Sequence, residues 1–192
     1  MSKPQFASIA SITLTLVLLA LAAGAIPARA AAEAERTIYV PAGWEGAYEF
    51  GYAPVVRVGD TVIVSGVPAG GEGSYEEKVR RMYRRVKELL VAAGATIDDV
   101  VELTTFHAGP KDSAAFHAEF ERYMPIHREF FGEHRPAWTA VGTTALLSPT
   151  AVVEMRVVAV AGSGRSTRVV RGEAKPPAEK EGATSTTPAP GS

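Results

Sequence analysis

One carboxylate in this chain stands where a carboxylate is costly. Over residues 152–161, VVEMRVVAVA, the even positions are Val152, Glu154, Arg156, Val158 and Val160, and the odd ones are Val153, Met155, Val157, Ala159 and Ala161. A strand with this pattern is largely apolar on both faces. A sheet face open to water shows polar alternation, so both faces are expected to be covered and Glu154 is expected on a mostly buried one. A carboxyl in such a place has a raised pKa and is able to hold or activate water. Arg156 follows two residues along on the same face, and a structural Glu154–Arg156 ion pair accounts for the glutamate equally well.

Other chemistries have less to stand on. The chain has no cysteine, which excludes thiol nucleophiles, disulfides and cysteine-bound zinc. Its four histidines, His107, His117, His127 and His134, lack the paired spacing of a helical zinc motif; His117 with Glu121 and His127 with Glu129 are weak pairs, and no metal or other cofactor is expected. There is no Gly-Xaa-Ser-Xaa-Gly elbow, and Gly70-Gly71-Glu72-Gly73 lacks the lysine and preceding strand of a phosphate loop. A cleft chemistry built on Glu154, Tyr52, Gly66, Arg156 and groups near Trp138 remains.

The elements that must position these groups read as an α+β domain of about six strands and two helices. Thr37 to Val40 is a short strand, and Pro41 to Gly51 a Gly-rich, aromatic-bearing loop. Pro54 to Val58 and Thr61 to Ser65 form a hairpin about Gly59-Asp60, ended by Gly66-Val67-Pro68. Ser74 to Ala93 is the clearest helix: Ser74 and Glu77 make a capping box, Gly94 offers a left-handed stop, and Tyr75, Val79, Met82, Tyr83, Val86, Leu89, Leu90 and Ala93 line one stripe. Its other face carries Lys78, Arg80, Arg81, Arg84, Arg85 and Lys87, balanced by Glu76, Glu77 and Glu88, which reads as a solvated face more than a nucleic-acid patch. Val100 to His107 is a long strand. Asp112 or Ser113 caps a second helix that ends at Gly132, with Phe116, Phe120, Tyr123 or Met124, and Phe130 or Phe131 inward; Pro125 predicts a kink or restart near Met124. His134 to Ala161 reads as two long strands joined by a short Ser148-Pro149 turn. Two helices cover only one face of such a sheet, so the doubly apolar last strand predicts a homo-oligomer.

The ends differ in composition. Residues 1–30 read as a signal peptide, with Lys3 as a basic n-region, an uncharged apolar run from Ile9 to Ile26, and Ala28-Arg29-Ala30 as the cleavage site; an uncleaved anchor is the competing reading. Either way the domain is expected to be exported, to the periplasm or beyond. Residues 31–36 are a linker, 37–163 the folded domain, and 164–192, rich in Pro, Lys, Ser and Thr, a disordered tail. A net charge of −1 gives no bulk attraction to nucleic acid.

VGDTVIVSG at 58–66, VKELLVAAGAT at 86–96, VVELTTFHAG at 100–109, HRPAWTAVG at 134–142 and VVEMRVVAVAG at 152–162 together resemble the RidA/YjgF family of reactive intermediate deaminases. The resemblance implies a chorismate-mutase-like fold and a homotrimer whose sheets form an inner barrel, with clefts between subunits that hydrolyse enamines and imines such as 2-aminoacrylate. It places the cleft tyrosine at Tyr52, the strand-end glycine at Gly66 and the water-positioning glutamate at Glu154. The substrate-anchoring arginine falls on Trp138 and a cleft asparagine on Phe120, so two polar groups are replaced by aromatics. An indole cannot clamp a carboxylate as a guanidinium does, and the nearby cations Arg135 and Arg156 do not occupy the matching position. The readings left open are a hydrolase for imines lacking a small carboxylate, a small-molecule-binding trimer without chemistry, and an endoribonuclease, the family's older label.

Overall fold

The computed structural model describes residues 35–172. The leader reading of residues 1–30 and the tail from residue 173 lie outside the described residues. Strands β1 (Arg36–Tyr39), β2 (Val55–Val58), β3 (Thr61–Pro68), β4 (Val100–His107), β5 (Ala137–Gly142) and β6 (Val153–Val160) form one mixed sheet in the order β1-β2-β3-β6-β4-β5. Only β4 and β5 are parallel. Helices α2 (Tyr75–Ala92) and α3 (Ser113–Phe131) pack on one face, and a short helix α1 (Glu45–Phe50) precedes β2.

The capping box on α2 is present with both of its hydrogen bonds, and Val79, Met82, Tyr83, Val86, Leu89 and Leu90 are buried as the periodicity predicts. They meet Val62, Val64, Leu103, Val153, Met155, Val157 and Ala159 from the sheet. On β6 the odd residues are buried and the even ones, Glu154, Arg156, Val158 and Val160, are half-buried. The helix-free face of a single chain is therefore open, with Ile63, Phe106, Val158 and Val160 partly exposed on it.

Four local expectations are corrected. β5 and β6 are not a hairpin, because β4 lies between them. The strand that is apolar on both faces takes the interior place, and β5, with Ala137, Thr139 and Val141 exposed, takes the edge. Residues 41–51 contain α1, bracketed by Gly43 and Gly51 at φ 86° and 120°; it has no buried residue and so gives no apolar stripe to read. β3 does not end at Ser65 but continues to Pro68 through an irregularity between Val64 and Val67. Finally, α3 runs through Pro125 as one helix instead of restarting. The missing donor costs one backbone bond, while Tyr123 on one side of the proline and Ile126, His127 and Phe131 on the other are all buried, so both sides stay anchored in the interior.

At the C-terminal edge, Gly162 turns at φ 83° and Ser163–Arg165 make a single 3-10 turn. Gly164 N–H donates to Asp99 Oδ1 at 2.9 Å, and Asp99 also accepts from Thr96, so its carboxylate ties the end of β6 to the start of β4.

Val157 is fully buried against the helices. Val157→Asp is expected to cost about 4 kcal/mol or more, a large part of a domain's total stability, because the carboxylate would have no partner there. Urea denaturation of purified protein checks this, with loss of soluble folded protein as the extreme outcome.

Candidate functional site

The irregularity in β3 is what prepares the ground for Glu154. Val62 and Val64 are buried before it, and Val67 and Ala69 after it, so one extra residue changes the phase of the strand. Ser65 and Gly66 consequently both lie at the open face. Ser65 N–H donates to Pro54 O (3.0 Å) and its hydroxyl to Ala53 O (2.7 Å), which pins the distorted strand to the segment after Tyr52. A Cβ on Gly66 would overlap the Glu154 carboxylate. Any side chain at residue 66 would displace that carboxylate from its place.

Glu154 lies across Gly66 on the open face, and the structure brings these two sequence-predicted residues together. No basic side chain pairs with its carboxylate among the described residues, and burial pushes its pKa above the ordinary glutamate value. The Glu154–Arg156 ion pair is thereby corrected. Arg156 reaches across to β4, where its Nη1 donates to Glu102 Oε1 at 3.0 Å, since Thr104 and not Glu154 is its cross-strand neighbour. Arg135 is likewise occupied, bound to the Gly132 and His134 carbonyls and to Glu133. Tyr52 is 38% exposed and packs edge-to-face on Phe50 with ring centroids 6.3 Å apart.

Trp138 and Phe120 form a second locus. Trp138, on β5, stacks on His127 at 4.5 Å and packs against Phe120 at 5.1 Å and Tyr123 at 5.8 Å. All three partners belong to α3, so Trp138 points to the helix-covered face. Glu154 points the other way, paired across the strands with Phe106. Within one chain the two residues are on opposite faces of the sheet, and one cleft contains both only if two copies contribute to it. Beside Phe120, an open hollow of about 260 Å³ is lined by Ser113, Phe116, His117, Phe120 and Ala140. A larger one of about 690 Å³ adjoins it between the N-terminal end of α3 and the C-terminal end of β5, and includes none of Tyr52, Gly66, Trp138 or Glu154.

Under Trp138 runs a buried polar chain that the sequence reading missed. Trp138 Nε1–H donates to Thr105 Oγ1 (3.1 Å), which lies 3.0 Å from His107 Nε2; His107 Nδ1 is 2.9 Å from Glu119 Oε1, and that oxygen also accepts from the Tyr75 hydroxyl at 2.9 Å. Thr105 and His107 are fully buried. The available signal was the alternation Leu103, Thr105, His107 on one face of a strand, which sets two polar side chains in line with an apolar one. His117 instead sits on the surface, 3.6 Å from Glu121. Half of the basic face of α2 is engaged: of its six cations, Arg80 is bidentate on Glu129, Arg81 binds the carbonyls of Gly70 and Glu72, and Lys78 binds Thr150 O.

His127, stacked between Trp138 and Phe131, lies 3.0 Å by Nδ1 from the Tyr83 hydroxyl. Desolvation, aided by Arg135, Arg128 and His134, lowers its pKa to about 4 from 6.5. Between those values the unfolded chain binds the extra proton, so stability rises with pH from about 4 to 6.5 and is lost on acidification through that window. His127→Phe should flatten this dependence, which is worth on the order of 2–3 kcal/mol in the wild type, while retaining the stack; denaturant midpoints from pH 4 to 7 measure it.

A sequence model of the family described as Endoribonuclease L-PSP matches residues 47–161. The RutC family protein YjgH of Escherichia coli is 35% identical over 119 residues, which cover 58% of this chain and 86% of that protein. Rv2704 of Mycobacterium tuberculosis, described as a member of the YjgF/YER057c/UK114 family, superposes with a TM-score of 0.56 at 30% identity, over 66% of this chain and 99% of that one. A solved structure of YjgH gives a TM-score of 0.56 at 33% identity, over 65% and 95%. With sheet order, family match and structural neighbours in agreement, the chain belongs to the RidA/YjgF (Endoribonuclease L-PSP) family.

Proposed function

We propose that the protein is an exported homotrimeric hydrolase of reactive imines or enamines, whose substrate lacks the small carboxylate of 2-aminoacrylate. The observation that carries this reading is Glu154. It is a carboxylate with a raised pKa and, among the described residues, no cationic partner, held against Gly66 on the sheet face opposite α2 and α3. In a trimer the open faces pair, and the half-buried Ile63, Phe106, Val158 and Val160 become interior. The edge carrying Trp138 and Phe120 then supplies the facing wall of each intersubunit cleft.

The chemistry follows from those groups. An enamine enters as its imine tautomer. Glu154, ionised, takes a proton from water as the oxygen attacks the imine carbon and passes it to nitrogen, giving a carbinolamine; the carbinolamine hydroxyl then gives up its proton, through the same carboxylate, to nitrogen as the carbon–nitrogen bond breaks, releasing a carbonyl compound and ammonia or an amine. Partial burial brings the carboxyl pKa toward working pH, which suits a group that must both take and give a proton. Trp138, Phe120 and Phe116 offer an apolar surface where a carboxylate clamp would otherwise stand. Tyr52 is accessible and joined to the Gly66 segment through Ser65, so it is available to the cleft from the side opposite Trp138.

The same two aromatic replacements favour a second reading, a small-molecule-binding trimer without catalysis. Ribonuclease action ranks last, since Arg80, Arg81 and Lys78 on the basic helix face are already held within the chain.

Ammonia release from a panel of freshly generated imines tests the proposal. Wild type should hydrolyse 2-aminoacrylate roughly ten to a hundred times more slowly than an arginine-bearing relative, the worth of one charge-assisted clamp. Its turnover should rise with apolar bulk on the imine, and Trp138→Arg should recover part of the 2-aminoacrylate rate. Glu154→Gln should lower turnover about a hundredfold or more with the trimer intact by light scattering. Activity should fall on acidification through a pKa above the usual 4.5, because the base must be ionised. Equal wild-type and relative rates on 2-aminoacrylate would overturn the substrate class, and saturable binding without turnover across the panel would select the second reading.

Export rests on residues 1–30 alone. Intact mass spectrometry of the protein from its native host is expected to give a chain beginning at Ala31, and a full-length chain in the membrane fraction would refute cleavage.

A further inference from the structure

The polar chain beneath Trp138 has no part in the proton transfers assigned to Glu154, yet its polar atoms fit one directed arrangement. Trp138 Nε1–H donates to Thr105, Thr105 O–H donates to His107 Nε2, His107 Nδ1–H donates to Glu119, and Tyr75 O–H donates to the same carboxylate oxygen. Every donor points toward the carboxylate. Glu119 selects the His107 tautomer, that tautomer makes Nε2 an acceptor, and the acceptor draws the threonine hydrogen away from Trp138. A Thr105 lone pair is thereby left facing the indole N–H, which would otherwise lose its partner among aromatic rings.

We propose that Thr105, His107 and Glu119 form a positioning relay that fixes Trp138 as a rigid wall of the cleft and thereby sets which substrates fit. The indole stacks on His127 and packs at a tilt against Phe120, and its polar edge is held by Thr105. Stacking alone leaves the ring free to slide in its plane; the hydrogen bond fixes that remaining freedom. Thr105 and His107 are positioning residues, since both are fully buried beneath the wall they orient. Only the substrate-selecting half of this inference rests on the hydrolase reading; the relay itself does not.

The chain has two tryptophans, Trp44 and Trp138, so a proton–nitrogen correlation spectrum of the full-length protein shows two indole N–H signals, assigned with Trp44→Phe. The Trp138 signal should exchange with deuterated solvent at least tenfold more slowly than a free indole. Thr105→Val should abolish that protection, whereas Thr105→Ser should retain it. Glu119→Gln keeps the shape but removes the charge that polarises the chain, and should shift the Trp138 proton upfield although residue 119 does not touch the indole. A merely structural Glu119 would leave that signal in place. Fast exchange in the wild type, protection retained in Thr105→Val, or an unmoved signal in Glu119→Gln overturns the relay, and Thr105→Ser and Glu119→Gln decide the matter if Thr105→Val does not fold. On the imine panel, Thr105→Val should change the preference for bulky over small imines about fivefold, the worth of one hydrogen bond. An unchanged preference overturns the specificity role, while a panel with no turnover at all defeats the hydrolase reading and leaves the relay to the spectra.

Discussion

Two helices cannot cover both faces of a six-stranded sheet, and this shortage governs the placement of every functional group. β6 sits inside the sheet between β3 and β4 and buries Val153, Met155, Val157 and Ala159 against α2 and α3. Its other face is left with Glu154, Arg156, Val158 and Val160 half-covered. Apolar side chains gathered on such a face mark it as an interaction surface. The carboxylate in that face has its pKa raised by the same partial burial that makes the face adhesive.

The opposition of Trp138 and Glu154 follows from the same geometry. Side chains alternate along strands, so a residue that stacks on α3 is separated by the sheet itself from one that faces away from it. No side-chain rearrangement within one chain brings them together. Assembly is therefore a requirement of any site that uses both, and the edge strand β5 with its exposed Thr139 and Val141 is where a second copy can approach.

Much of the fold was legible because its signals are local. The Ser74–Glu77 capping box, the α2 stripe, the Gly59-Asp60 hairpin and the double apolarity of β6 each rest on a few neighbouring residues. What was not legible depends on distant partners. Nothing near Ser148-Pro149 says that β4 will lie between β5 and β6, since the parallel β4–β5 pair is made across the whole of α3. The extension of β3 past Gly66 rests on its pairing with β6, where Val67 and Pro68 face Met155 and Glu154, and the true partner of Arg156 is Glu102, 54 residues away. The pairing of Glu154 with Gly66 was anticipated by family resemblance; the Thr105–His107–Glu119 chain was not, because its members are polar residues in positions that pattern reading assigns to the core.

That chain bears on how a tryptophan is accommodated at residue 138. A guanidinium at a cleft edge is solvated and carries its own donors, whereas an indole placed there turns a large apolar surface inward and brings one N–H that must be satisfied. Here the surface meets Phe120, Tyr123 and His127, and the N–H meets Thr105. His127 lies beneath the indole with its pKa lowered by desolvation, so the stack is formed by an imidazole that remains neutral at ordinary pH. Phe120, Trp138 and the polar chain below them are thus one structural unit. A guanidinium placed at residue 138 would meet the rings of Phe120, Tyr123 and His127 and the Thr105 hydroxyl, so the packing at this position is a property of the unit and not of a single side chain.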